Sequence, residues 1–466
     1  MEKLKIGIVS PPFLPVVTDM SGYGGTERVV AELAKGLADR GHSVTLFAPE
    51  GSKVAANVKI VTTGRHLWST KYEITKDDIE NGMKRTLDIT YRNASRLDII
   101  HFNLDESLTD KRFDSIPTIN TIHGDTASLE IKARYAKSNN RPLAFISKSQ
   151  EAMIHGTNSV GVVYNGINTK GFTPSYKPGD YVVFLGRVSM EKGMHVAIDV
   201  AMEANIKLVA MYREPIRDKS DSIANADWEY YNHYVKPRFE MYNGAIQHII
   251  DPEVKVRDNV LRGALALLGP SGSPPSTWSE PFGLFVAESM ASGTPAIVYN
   301  KGGPAEIVAD GRTGYVAKSL DERSVVHEMA GAVGMVRDAG PAMRMESRER
   351  VEGTFSTEKM AEGYESAYFK VLLRKMASAG SSVLVGIISI PRIFREQTMM
   401  ITTNTSGSYF RDIFSQSLVS NIMGMIPNSE IPYIIGVGLF LSIYLTLPKD
   451  TPFGPHAVAK AMAIVN

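Results

Sequence analysis

Leu4 to Val9 is a short apolar run that passes into a Pro- and Gly-rich loop, Ser10 to Gly25, and then into a helical pattern opened by Thr26-Glu27-Arg28. The run reads as a strand buried on both faces. The helical pattern carries Val29, Val30, Leu33, Ala34 and Leu37 and stops near Gly41, before a second strand over Val44 to Phe47. Strand, loop, helix and strand in that order make a βαβ unit, which commits this part of the chain to a parallel sheet with right-handed crossovers. Val58–Val61, Ile99–Phe102, Thr118–Ile122 and Ala144–Ile146 read as further strands.

A second α/β unit follows the turn-rich stretch Asn165 to Asp180. Tyr181–Leu185 is a strand, Gly186–Gly193 a loop and Met194–Glu203 a helix. Ile206–Ala210, Ala264–Leu268 and Pro295–Val298 continue the strand series, and Thr357–Lys375 is a helix that closes this core. The fold class is therefore α/β, with two Rossmann-like doubly wound halves. Ligands of such sheets bind beyond the carboxyl ends of the strands.

Composition narrows the chemistry. The 466 residues suit two or three domains, and 43% apolar with 22% charged residues is a globular balance. A net charge of +1 gives no field that argues for nucleic acid or an acidic membrane. The absence of cysteine removes disulfides, thiolate catalysis and Cys-based zinc sites, and fits the cytoplasm. The N-terminus enters a strand at once and offers no signal-peptide cleavage site. Ile431 to Leu447 carries no charge and stands at the lower edge of a membrane-spanning length, but contains Pro432, Gly436 and Gly438. Burial against the main body is the reading taken, with peripheral membrane association as its alternative.

Four segments carry candidate chemistry, each in a loop after a strand. In Gly22-Tyr23-Gly24-Gly25-Thr26-Glu27-Arg28, glycines allow close backbone approach to a phosphate at a helix N-terminus; the competing reading is a flexible loop with Thr26 as N-cap. In the loop Gly186–Gly193, Arg187 and Lys192 supply two cations that can neutralise a pyrophosphate without metal; the competing reading pairs Arg187 with Glu191 in solvent. Glu280 and Glu288, with seven residues between them, bracket Pro281-Phe282-Gly283-Leu284 and the start of a helix. Carboxylates so placed can grip sugar and ribose hydroxyls, and the amides near Gly283 and Leu284 can reach a phosphate. The bland reading makes Glu280 a cap and Glu288 half of a surface ion pair. Last, Thr121-Ile122-His123-Gly124-Asp125 places His123 and Asp125 where either can meet a sugar hydroxyl, although a lone histidine is more often structural.

Together these segments resemble the retaining GT-B glycosyltransferases of family 4, over roughly residues 4 to 375. The likeness is closest to a branch that begins with the loop seen here as Tyr23–Arg28. Val163-Tyr164-Asn165-Gly166-Ile167-Asn168, and Gly302-Gly303-Pro304-Ala305-Glu306-Ile307-Val308 followed by Asp310-Gly311, are further matches. The resemblance implies an acceptor-side domain over 1–170, a donor domain over 171–356, a helix over 357–376 crossing back to the first domain, and an extension over 377–466 without counterpart. It implies that Arg187 and Lys192 hold the donor diphosphate, Glu288 the ribose and Glu280 the transferred sugar. Phe282, Gly283 and Leu284 would line sugar and phosphate by main chain. Gly24 and Gly25 would face the diphosphate, and His123 the reacting carbon.

The implied reaction moves a sugar from a nucleoside-diphosphate donor to a hydroxyl acceptor, whether small molecule, glycan or lipid-linked, with retention and with no cofactor. Retaining glycosidases commonly place a nucleophile about 5 Å from the acid, and no residue here plainly fills that role. A same-face displacement is the expectation. No Asp-x-Asp pair occurs, so no metal is expected. A dinucleotide oxidoreductase is disfavoured by the long first loop and by the lack of a fitting acid after the second strand. A GT-B epimerase or phosphorylase, or a non-catalytic sugar-binding protein, is the alternative. The stretch Met211 to Val256 departs from the family by lacking a glycine-rich strand end.

Overall fold

A computed structural model describes residues 3–18, 24–68, 74–124, 126, 129–136, 138, 141–217, 222–378, 384–388 and 399–403. By internal contacts the chain divides into two compact units, Met1–Leu372 and Leu373–Asn466. In the second unit, Leu384–Ile388 and Met399–Thr403 pair as antiparallel strands. The apolar segment Ile431–Leu447 lies outside the described residues. Among these, no helix is long and apolar enough to cross a membrane.

The first unit holds two parallel sheets. The first is built from β1 (Lys5–Val9), β2 (Ser43–Ala48), β3 (Lys59–Thr62), β4 (Ile99–Phe102), β5 (Thr118–Ile122), β6 (Leu143–Phe145) and β7 (Ser159–Val162), in the order β3-β2-β1-β4-β5-β6-β7. The second contains β8 (Tyr181–Leu185), β9 (Lys207–Tyr212), β10 (Ile246–Ile250), β11 (Ala266–Gly269), β12 (Ala296–Tyr299) and β13 (Gly314–Ala317), in the order β10-β9-β8-β11-β12-β13. In each sheet the winding reverses beside the first strand, which opens a crevice at the carboxyl ends. The doubly wound α/β class expected from the sequence is the class observed.

Local sequence explains the elements that frame this crevice. The helix Gly25–Asp39 buries Val29, Val30, Leu33, Ala34 and Leu37 at helical spacing. It ends where Gly41, at φ 92°, lets its own N–H reach Ala38 O and that of His42 reach Leu37 O. At its start the residue before the helix is Gly24, without a side-chain cap, so Thr26 lies inside the helix rather than capping it.

The helix Thr357–Ser378 packs Met360, Ala361, Tyr364 and Tyr368 among Ile6, Ile8, Leu33 and Leu37 of the first sheet's core. Gly36 makes this approach close: a Cβ there would stand 3.0 Å from Thr357 Cγ2 and 3.1 Å from Ala361 Cβ. Thr357 Oγ1 donates to Glu32, while His42 and Arg40 meet Glu365. His101, fully buried on β4, bonds Tyr368 Oη at 2.7 Å and Thr121 Oγ1 at 2.6 Å. The second sheet is tied by Arg344, whose guanidinium donates to the carbonyls of Ser175, Ala264 and Arg262.

The chain joins the two sheets twice, and the joins touch. Ile167 N–H donates to Phe355 O at 2.9 Å, and Thr357 N–H returns the bond to Ile167 O at 3.0 Å. Gly166 permits this, because a Cβ there would lie 2.4 Å from Ser356 O. Gly166→Ala should therefore push the two joins apart and lower stability by about 1–3 kcal/mol. Thermal unfolding beside the parent chain checks this, and an unchanged melting temperature would refute it.

Candidate functional site

The two cations of the second domain sit on one short loop after β8. Met190–Lys192 forms a 3₁₀ turn, and Gly193, at φ 70°, opens the helix Met194–Glu203. The Arg187 guanidinium pairs with Glu191 on its own loop and stands 3.4 Å from Asp227. Lys192 pairs with Glu280, and its ammonium lies 5.9 Å from the centre of the Phe285 ring. Ser271 Oγ is 3.1 Å from both Glu280 Oε2 and Glu191 O, and Gly272 N–H donates to Glu191 O. The loop after β8 and the loop before Glu280 are thus stitched into one surface. The Arg187–Glu191 pair of the competing reading is present, although both side chains are half-buried rather than free in solvent.

The turn through Glu280 depends on three glycines. Gly283 stands at φ 101° immediately before the helix Leu284–Ala291 and supplies no side-chain cap. Gly302, at φ 74°, and Gly303 lie flat against the turn: a Cβ would come 2.3 Å from Glu280 O at the first and 2.4 Å from Phe282 Cα at the second. Gly303 N–H donates to Glu280 O at 2.8 Å. The Phe282 ring itself is core, packed on Tyr164 and Phe355. Leu284 reaches the other domain, with its Cδ1 3.7 Å from where a Cβ on Gly25 would be.

Glu288 is 2% exposed and pairs with Arg28 of the first domain; Arg257 stands 3.8 Å from its other oxygen. It forms no surface ion pair, and Glu280 caps no helix, being held by Lys192 and Ser271. Burial, and then the neighbouring Arg257, push Arg28 down to about 10, which still leaves it charged at neutral pH. A cavity of about 130 Å³ opens beside this cluster, lined by Arg28, Glu32, Asn168, Arg257, Asp258 and Leu284 among others.

On the first domain, His123 follows β5 and its Nε2 lies 2.9 Å from Asn103 Oδ1. Gly24 and Gly25 stand at the start of the first helix. Asp125 and Tyr23 lie outside the described residues. The structure brings Lys192 to Glu280 and Arg28 to Glu288, while His123 finds its partner on the loop after β4. Sequence reasoning assigned no role to Arg28, Asp227 or Arg257, whereas Ser271 opens the Pro- and Ser-rich insert Ser271–Ser279 that it linked to the shape of the sugar pocket. Of those three only Arg28 had a signal, its place in the glycine loop. The Glu306 carboxylate accepts the N–H groups of Lys148 and Ser149 and the Tyr164 hydroxyl, and so joins the second domain to the first.

Desolvation holds His123 down to about 4 and His101 down to about 3, the latter helped by its proximity to His123. Both are neutral in the fold at pH 7, whereas in the unfolded chain each protonates near 6.5. Below that value the unfolded state binds more protons, so stability present above pH 6.5 is lost as pH falls toward 4 and 3. Each group contributes a slope approaching about 1.4 kcal/mol per pH unit. The melting temperature should fall steadily between pH 6.5 and 5. A flat profile over that interval would mean that the folded imidazoles are charged.

Comparison with known proteins agrees with this architecture. The family model described as Glycosyltransferase Family 4 matches residues 23–170, and that of Glycosyl transferases group 1 matches 235–333. N-acetyl-alpha-D-glucosaminyl L-malate synthase of Bacillus anthracis is 23% identical, over 79% of this chain and 98% of its own. Among solved structures, AviGT4, a glycosyltransferase involved in avilamycin A biosynthesis, superposes with a TM-score of 0.60 at 21% identity, over 79% of this chain and 98% of its own. Anabaena HepE, in complex with UDP and glucose, gives 0.56 at 14% identity, over 78% and 98%.

Proposed function

Because this chain is a glycosyltransferase of the GT-B fold, we propose that it takes a nucleoside-diphosphate sugar as donor and passes the sugar to a hydroxyl acceptor with retention. The observation that carries the reading is the contact of Lys192 with Glu280, on a loop that also holds Arg187. A cation suited to a phosphate and a carboxylate suited to a sugar hydroxyl stand side by side, so the bond between sugar and diphosphate would lie between them. Binding of UDP and glucose by HepE supports the donor class.

In this reading the diphosphate displaces Glu191 from Arg187 and shares Lys192 with Glu280. The two cations stabilise the negative charge that grows on the leaving oxygen, in place of a metal. The amides at the start of the helix Leu284–Ala291 add partial positive charge. The bond from the anomeric carbon to the diphosphate breaks, and the acceptor oxygen bonds to the same carbon on the same face. The acceptor's proton passes to the departing diphosphate oxygen. Closure of the cleft excludes water and protects the donor from hydrolysis. His123, neutral, offers the reacting centre a hydrogen bond without a charge, and Glu288 is available to the ribose.

Thermal-shift measurements with UDP, GDP and ADP come first. A nucleotide at about one hundred times its dissociation constant stabilises by about 2.7 kcal/mol. One base should raise the melting temperature, and Arg187→Ala should abolish the effect. Lys192→Ala should fold normally yet lose transfer by about two orders of magnitude or more, the size found when one preorganised electrostatic contact is removed. Near-normal turnover by that variant would end the role proposed for Lys192.

A further inference from the structure

Glu27 is used by nothing described so far. It lies in the first turn of the helix Gly25–Asp39 and is only 5% exposed. Its helix neighbours have partners, Arg28 in Glu288 and Glu32 in Thr357. Among the described residues the Glu27 carboxylate meets no cation and no hydroxyl, its polar contact being with its own backbone N–H. Burial pushes its acid up from the ordinary glutamate value. A buried carboxylate left so poorly matched costs stability, and such a group in a native fold calls for an explanation.

Its position supplies one. Val30 and Ala31, three and four residues on, are fully buried, so Glu27 shares the inward face of its helix. That helix follows β1, Asn103 follows β4 and His123 follows β5, and these strands are neighbours in the sheet. The unmatched carboxylate therefore stands at the same sheet end as the His123–Asn103 pair. It belongs to the first domain, whereas Arg187, Lys192 and Glu280 belong to the second.

We propose that Glu27 is an acceptor-binding residue whose carboxylate accepts a hydrogen bond from a hydroxyl of a neutral polyol acceptor. The inference rests on the glycosyl-transfer reading above and adds a substrate class to it. A polyol hydroxyl supplies Glu27 with a donor beyond its own backbone N–H, and an uncharged acceptor requires no balancing cation beside it. The stability forgone in keeping the group unmatched is returned when the acceptor binds.

Glu27→Gln keeps the shape and removes the charge. In the presence of UDP, binding of D-glucose, myo-inositol and glycerol is measured by calorimetry for the parent and the variant. At least one polyol should bind the parent and weaken by about tenfold or more in the variant, the worth of one charge-assisted hydrogen bond. The variant's melting temperature should rise, because an unmatched buried charge has gone, and its UDP-induced shift should match the parent's. Undiminished polyol binding in the variant, or a parent that binds no neutral polyol, overturns the proposal. Loss of the UDP shift in the parent itself strikes the donor reading instead, so the two failures are distinguishable.

Discussion

A carboxylate with 2% exposure needs matching cations or it must take up a proton, and Glu288 finds those cations on both sides of the join between the sheets. Arg28 arrives from the first domain's opening helix and Arg257 from the helix Val254–Gly263 of the second. Much else depends on this match. It holds the start of the helix Gly25–Asp39 against Leu284, and it leaves a small cavity beside the cluster. Glu306, clasping the amides of Lys148 and Ser149, makes a second crossing of the same kind. In the proposed reading Glu288 also receives the ribose, so one carboxylate would serve both the placement of the sheets and the recognition of the donor.

Most of the strands that the sequence announced are buried on both faces, the edge strand β3 being the exception. β1, β4, β5 and β8 are almost wholly apolar or buried, and their runs are visible by eye. Within the two parallel sheets three strands escaped: β7, β10 and β13. Each stands at an outer edge of its sheet, and each mixes polar residues or glycine with its apolar ones. At an edge half the burial is missing, so the pattern that reveals a central strand is diluted. The long helix Glu322–Thr354 also went unnoticed. It is broken at Gly340-Pro341, and its mixed composition blurs any apolar stripe.

The site was legible where chemistry and backbone constraint coincide. Gly283, Gly302 and Gly303 betray a turn that leaves no room for side chains, and Glu280 lies inside that turn. Pairings that join distant parts of the chain carried no local trace. Arg28 and Glu288, or Arg187 and Asp227, are neighbours only because the fold brings them together. The Thr26 cap failed for a related reason: with Gly24 before the helix at φ 133°, the helix starts two residues earlier than a preference for side-chain caps suggests.

The paired joins at Ile167 and Ser356 carry a mechanical consequence. Two segments lying side by side and bonded to each other act like a strip of webbing rather than a single cord. A single cord would let one sheet spin and tilt against the other in every direction. A strip flexes readily across its width and resists torsion. In the proposed reading such a strip would favour one angular coordinate for the approach of the sheets, and would return groups such as His123 and Lys192 to the same alignment on every stroke.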